Sequence, residues 1–162
     1  MLKKWILATL LVASLPAATR AAVVASGAGP RVGFSVSPDQ LVLGGHLVVG
    51  EVAPSITFDP NLELGFGDNL TAVDVNFDLH YHFTIRDTDW RPYFGAGLGI
   101  NFTEVDRRAP NEDTSNTSVG GTLLLGAGIP TRSGNRFFGE MKFGLGGDLP
   151  EMKLIAGWNF KL

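Results

Sequence analysis

The chain has 162 residues, enough for one domain, with a formal net charge of −3 that gives no reason to expect a nucleic-acid partner. Cysteine is absent, so neither a disulfide framework nor a thiolate metal site is available. Beyond the first residues no apolar run approaches the roughly 20 residues of a membrane-spanning helix, while the 21 glycines exceed the usual share of about 7%.

Lys3 and Lys4 precede an apolar run, Trp5 to Leu15, then Pro16 and small residues through Ala22. That order reads as a secretory signal peptide over residues 1–21, with cleavage expected after Ala21. Residues 22–30 read as a flexible Gly/Ala-rich lead-in, and residues 31–162 as the folded domain.

Eight alternating segments follow. Arg31–Ser37 sets Val32, Phe34 and Val36 against Arg31, Gly33 and Ser35, and Pro38-Asp39 marks a turn. Leu41–Val49 is the least clean, since Val42, Gly44, His46 and Val48 form its second face. Residues 51–54 connect to a third segment on which Ile56, Phe58, Leu62, Leu64 and Phe66 share a parity; Pro60 interrupts it, leaving its start anywhere from Ser55 to Asn61. Gly67-Asp68-Asn69 turns into Val73–Ile85, where seven apolar residues alternate with Asp74, Asn76, Asp78, His80, His82 and Thr84. Side chains on a strand alternate faces, so this is one two-faced strand, roughly 44 Å long at about 3.4 Å per residue. Soluble strands average about 5–6 residues, whereas a tilted membrane strand needs about 9–11.

Residues 86–90 turn into the fifth segment, Pro92–Glu104, followed by one long polar loop, Asp106–Asn116. Ser118–Pro130, Arg136–Gly147 and 152–162 complete the set, joined by short turns. The fold class expected is all-β: an eight-stranded antiparallel up-and-down transmembrane β-barrel.

The polar face settles which side is out. A wet outer surface is rich in Lys and Glu; here nine glycines (95, 97, 99, 120, 126, 128, 144, 146 and 157) occupy that face on segments five to eight. Small residues suit the interior of an eight-stranded barrel, which side chains fill. The opposite face carries no charge on segments four to eight, as a lipid-facing surface requires. The expected lumenal polar network comprises Arg31, Glu63, Asp74, Asp78, His80, His82, Glu140, Lys142 and Lys153, with Asp74 or Asp78 pairing with Lys153 across the barrel. Tyr81, Phe83, Trp90, Phe94, Phe137, Trp158 and Phe160 are expected to form a lipid-facing aromatic belt near one set of strand ends.

Trp90-Arg-Pro-Tyr-Phe-Gly-Ala-Gly-Leu-Gly-Ile100, the eight alternating segments and a final Gly157-Trp-Asn-Phe-Lys-Leu162 resemble the small outer-membrane β-barrel superfamily, in particular the outer membrane protein A transmembrane domain and the outer membrane protein X group. The resemblance implies an outer-membrane location in a Gram-negative cell envelope, lipid around the barrel, and recognition of residues 152–162 by the barrel-assembly machinery. In that family the last strand usually ends in Phe; here Trp158 and Phe160 keep the alternation and Leu162 ends it. The peptidoglycan-binding domain that follows some such barrels is not expected, because the chain stops with the eighth segment.

Asp78, His80 and His82 share a face at two-residue spacing, a geometry open to a metal, but a lumenal hydrogen-bond network is the preferred reading. Known lipid A deacylase and palmitoyl transferase barrels use Ser and His in specific settings. None of the three histidines here sits in a His-x-Ser arrangement, so no catalytic residue, metal or cofactor is expected. The function expected is structural or adhesive, with loop 106–116 meeting an unknown extracellular ligand; a narrow channel and a lipid-modifying enzyme are the alternatives.

Overall fold

A computed structural model describes residues 25–105 and 115–162. The expected signal peptide and most of the polar loop (106–114) lie outside the described residues. Eight strands, β1 (Ala25–Val36), β2 (Gln40–Ala53), β3 (Ile56–Gly67), β4 (Leu70–His82), β5 (Arg91–Val105), β6 (Ser115–Pro130), β7 (Arg136–Leu145) and β8 (Met152–Lys161), pair in chain order. Every pairing is antiparallel, and β8 returns to β1 to close the barrel. Closure leaves no unpaired sheet edge, so strand N–H and C=O groups find partners within the wall.

Several boundaries differ from the sequence reading, each for a local reason. Residues 25–30, expected to be a flexible lead-in, belong to β1: Ala28 pairs with Leu47 on one side and Phe160 on the other. Gly and Ala hide strand periodicity, because neither declares a face. Strand β4 is shifted three residues toward the N-terminus of the expected segment, leaving Phe83–Ile85 beyond it. Asp68-Asn69 forms the two-residue turn before it, with Asn69 at φ 55°, a conformation Asn tolerates. Strand β7 ends at Leu145; Gly146 (φ 77°) and Gly147 (φ 64°) turn the chain instead of lining the lumen. Ser115 and Asn116, expected in the loop, begin β6.

Pro30 and Pro60 lie in strand interiors, away from the strand ends where Pro92 and Pro130 sit, and both coincide with gaps in one ladder. Register between β1 and β8 skips from Ala28↔Phe160 to Arg31↔Gly157 around Pro30. Between β2 and β3 it skips from His46↔Asn61 to Val49↔Phe58 around Pro60. Proline has no N–H to give, so each gap falls where a donor is missing, while the ladder on the proline's other side continues.

The outer face is apolar around the ring, with Phe34, Leu43, Leu64, Phe77, Leu98, Leu125, Met141 and Leu154 all exposed. Leu98, at the middle of β5, is 61% exposed. The inner face is polar but contains an apolar subset that alternation did not reveal: Leu124, Phe138 and Ile155 are buried. Lumenal glycines give the long side chains their space. A Cβ on Gly97 would overlap Asp78 Oδ1, one on Gly126 the Tyr93 ring, and one on Gly157 the Phe138 ring.

Candidate functional site: a lumenal ion-pair network

The inward parity of five of the eight strands projects charged groups into the lumen. Arg31 comes from β1, Asp59 and Glu63 from β3, Asp74 and Asp78 from β4, Glu140 and Lys142 from β7, and Lys153 from β8. All are buried, with Glu63 and Asp78 at 0% exposure.

Lys153 Nζ donates to Glu63 Oε2 (2.7 Å) and Asp74 Oδ2 (2.6 Å). Asn101 Nδ2 donates to the second Asp74 oxygen, Oδ1. Arg31 continues the chain, with Nε 3.0 Å from Glu63 Oε1 and Nη2 donating to Glu140 Oε1 at 2.7 Å. Tyr93 OH donates to Glu140 Oε2 at 3.0 Å. A second group centres on Asp78: its Oδ2 accepts from Lys142 Nζ and from Asn61 Nδ2 (2.8 Å), and its Oδ1 accepts from Thr122 Oγ1 (3.3 Å). Asn76 Nδ2 donates to Asn61 Oδ1 at 2.9 Å.

A buried charge left alone is costly, and multidentate pairing offsets much of that cost. Lys153 binds two carboxylates, and each carboxylate of this chain meets a cation or a side-chain amide. This network ties β4 to β8, and β1 to β3 and β7, across the lumen.

The opposite end differs. His80 Nδ1 lies 2.9 Å from Asp59 Oδ2, and its ring stacks on Tyr93 at 4.8 Å. His82, half-buried, meets Thr57 Oγ1 at 3.0 Å through Nε2 and shares no ion pair with the network. His46 packs edge-on against Phe138 at 5.1 Å, and Arg31 lies over the same ring. Several polar atoms here have no partner: both His46 ring nitrogens, His80 Nε2, Asp59 Oδ1 and Arg136 Nε.

Of the residues expected in the lumen, Arg31, Glu63, Asp74, Lys153 and Glu140 form one connected chain, Asp78 and Lys142 a second group, and His80 a third with Asp59. Asp59, Asn61, Asn76, Asn101, Tyr93 and Thr122 complete these groups and were not singled out from the sequence. Strand parity was the available signal for them: Asp59 and Asn61 share Glu63's face, but Pro60 obscured where that strand began. Among the described residues no group of three or more His, Asp or Glu is arranged to hold a metal ion.

The aromatic residues gather outside in two clusters. Tyr81, Phe83 and Phe94 pack with ring centroids 5.1–5.6 Å apart, and Trp158 touches Phe137 and Phe160 at 6.2 and 6.4 Å. Trp90 is exposed on the connection before β5.

No family model matches the chain, and no curated protein matches it. Solved structures do. Neisserial surface protein A is 16% identical with a TM-score of 0.58, covering 85% of this chain and 94% of that one. The N-terminal β-barrel domain of Pseudomonas aeruginosa OprF is 17% identical with a TM-score of 0.54, covering 84% and 98%. The outer membrane enzyme PagL is 11% identical with a TM-score of 0.52, covering 85% and 100%. At such identities the likeness is one of fold: the chain has the closed eight-stranded architecture of the small outer-membrane β-barrels.

Proposed function

We propose that this chain spans a bacterial outer membrane as a sealed structural or adhesive barrel. The observation that carries the reading is the contrast between its two faces: an apolar exterior surrounds a lumen crossed by ion pairs. Apolar area left in water at this scale has no compensation, whereas in hydrocarbon it has none to need. The aromatic clusters then sit at one membrane interface. The strand ends joined by residues 37–39, 68–69 and 146–151 face the exterior, together with the 106–116 connection, which would meet an extracellular ligand. Export through residues 1–21 and delivery of residues 152–162 to the barrel-assembly machinery complete the reading.

Membrane fractionation with heat-modifiable gel migration tests it. The protein is expected in the outer-membrane fraction, migrating faster unboiled than boiled; a water-soluble protein with unchanged migration would overturn the proposal. Planar bilayers separate a sealed barrel from a channel; the bonds of Lys153, Asp74 and Arg31 across the interior support the sealed reading. Steady unitary currents would favour the channel.

A lipid-modifying enzyme is the second reading, favoured by the likeness to PagL and by the Thr57 Oγ1–His82 Nε2 contact of 3.0 Å, which pairs a hydroxyl with a base. Both residues face the lumen side of the wall, away from the apolar surface. Lipid A mass is therefore expected to be unchanged on expression; a mass change abolished by His82→Ala would promote the enzyme.

A further inference from the structure

Several residues that carry unpartnered atoms line one small void near the C-terminal end of β4. Its walls include His46, Asp59, His80, Arg136, Glu140 and the Phe138 ring, and its volume, about 10 Å³, accommodates one water centre. His46, Asp59, His80 and Glu140 are each more than nine-tenths buried. His80 Nε2, Asp59 Oδ1 and Arg136 Nε, all solvent-shielded, have no partner within the protein. Across the same void His80 Nε2 and Glu140 Oε2 stand 3.9 Å apart, too far for a direct hydrogen bond.

The donor and acceptor balance identifies the ligand class. In its neutral tautomer with Nδ1 donating to Asp59 Oδ2, the His80 ring presents a lone pair at Nε2. Glu140 Oε2 also accepts, and Arg136 Nε–H donates. Asp59 Oδ1 is a further acceptor at the void, so the group that fits gives its hydrogens to two acceptors, receives one from Arg136 and is no larger than a water. A metal ion would face the Arg136 guanidinium, and no metal-binding cluster exists among the described residues. An anion would face the Asp59 and Glu140 carboxylates.

The geometry points to a dedicated internal water site, in which one water donates to His80 Nε2 and Glu140 Oε2 and accepts from Arg136 Nε–H. Through it the Asp59–His80 pair joins the Glu140–Arg31–Glu63–Lys153–Asp74 chain, so that one path of hydrogen bonds and ion pairs runs along the lumen. His80 then acts as a positioning residue at the junction of the two halves.

A crystal structure of the wild-type barrel that shows ordered solvent tests the site directly. The expected result is a single water-sized peak within hydrogen-bond reach of His80 Nε2 and Glu140 Oε2. A closed void with His80 and Glu140 in direct contact, or a peak of metal strength, would overturn it. Unfolding in denaturant supplies a second readout. His80→Phe removes the acceptor and fills the space, so its midpoint shift and that of Glu140→Gln are expected to be non-additive in the double variant. Additive shifts, with both single variants folded, would contradict the bridge. If either variant fails to fold, magnetisation transfer from a long-lived buried water to the His80 ring in the wild-type protein decides: transfer supports the site, and its absence in a well-resolved spectrum refutes it.

Discussion

The two halves of the lumen are both lined by polar side chains, lysine-rich in one and histidine-rich in the other, and reach different outcomes. Toward the β7–β8 turn, Lys153, Lys142 and Arg31 meet Glu63, Asp74, Asp78 and Glu140 at hydrogen-bonding distance. Toward the strand ends where β1 begins, His46, Asp59, His80 and Arg136 leave polar atoms unpaired around a void. Burial alone does not decide how much a polar side chain contributes; the number and charge of its partners does. The first half resists rearrangement because removing any member strands the rest, while the second is looser and can accept a small guest.

The largest expected effect comes from breaking the tight half. Lys153→Met leaves Glu63 and Asp74 facing each other without their shared cation, and is expected to destabilise the barrel by about 3–5 kcal/mol in urea unfolding from lipid vesicles. A loss below about 1 kcal/mol would mean the pairs contribute little net stability. Next comes the outer face. Leu98→Arg places a cation at mid-strand on the apolar surface, at an expected cost of about 2–4 kcal/mol in the same assay; a near-neutral result would place that surface out of hydrocarbon.

Smaller changes sharpen the contrast. Gly97→Ala pushes a methyl group toward Asp78 Oδ1 and the Phe77 carbonyl, so it perturbs the Lys142 site from the strand next to Asp78, at an expected cost of about 1–3 kcal/mol. His46→Phe sits in the loose half. Neither ring nitrogen has a protein partner, and the ring already packs on Phe138, so the expected change stays within about 1 kcal/mol. A large loss there would show that His46 is held by bonds the geometry does not contain.

The two-residue alternation of Val73–Ile85 and its neighbours made the barrel and its orientation legible, because period-2 patterning reports directly which face each side chain takes. Segments poor in side-chain contrast were not legible. Residues 25–30 hid as Gly and Ala, and Pro60 masked the start of β3 and with it the inward Asp59 and Asn61. Parity also says nothing of partners. It placed Lys153, Asp74 and Asp78 inside, but the choice of Asp74 for Lys153 and Asp78 for Lys142 depends on strand tilt and stagger, which no single strand encodes. Leu124, Phe138 and Ile155 were missed for the opposite reason: apolar residues on both faces cancel the alternation that would have revealed them.

Because the chain lacks cysteine, one introduced thiol reports from one place. Single-cysteine variants carrying a fluorophore, at Phe77, Leu98 and Leu125 on the outer face and at Asn76 and Thr122 on the inner face, would be reconstituted in vesicles and exposed to a quencher dissolved in the lipid chains. The account predicts strong quenching at the three outer sites and little at the two inner ones. Equal quenching at all five, or the reverse order, would contradict a barrel that turns its apolar side to hydrocarbon and closes its charges within.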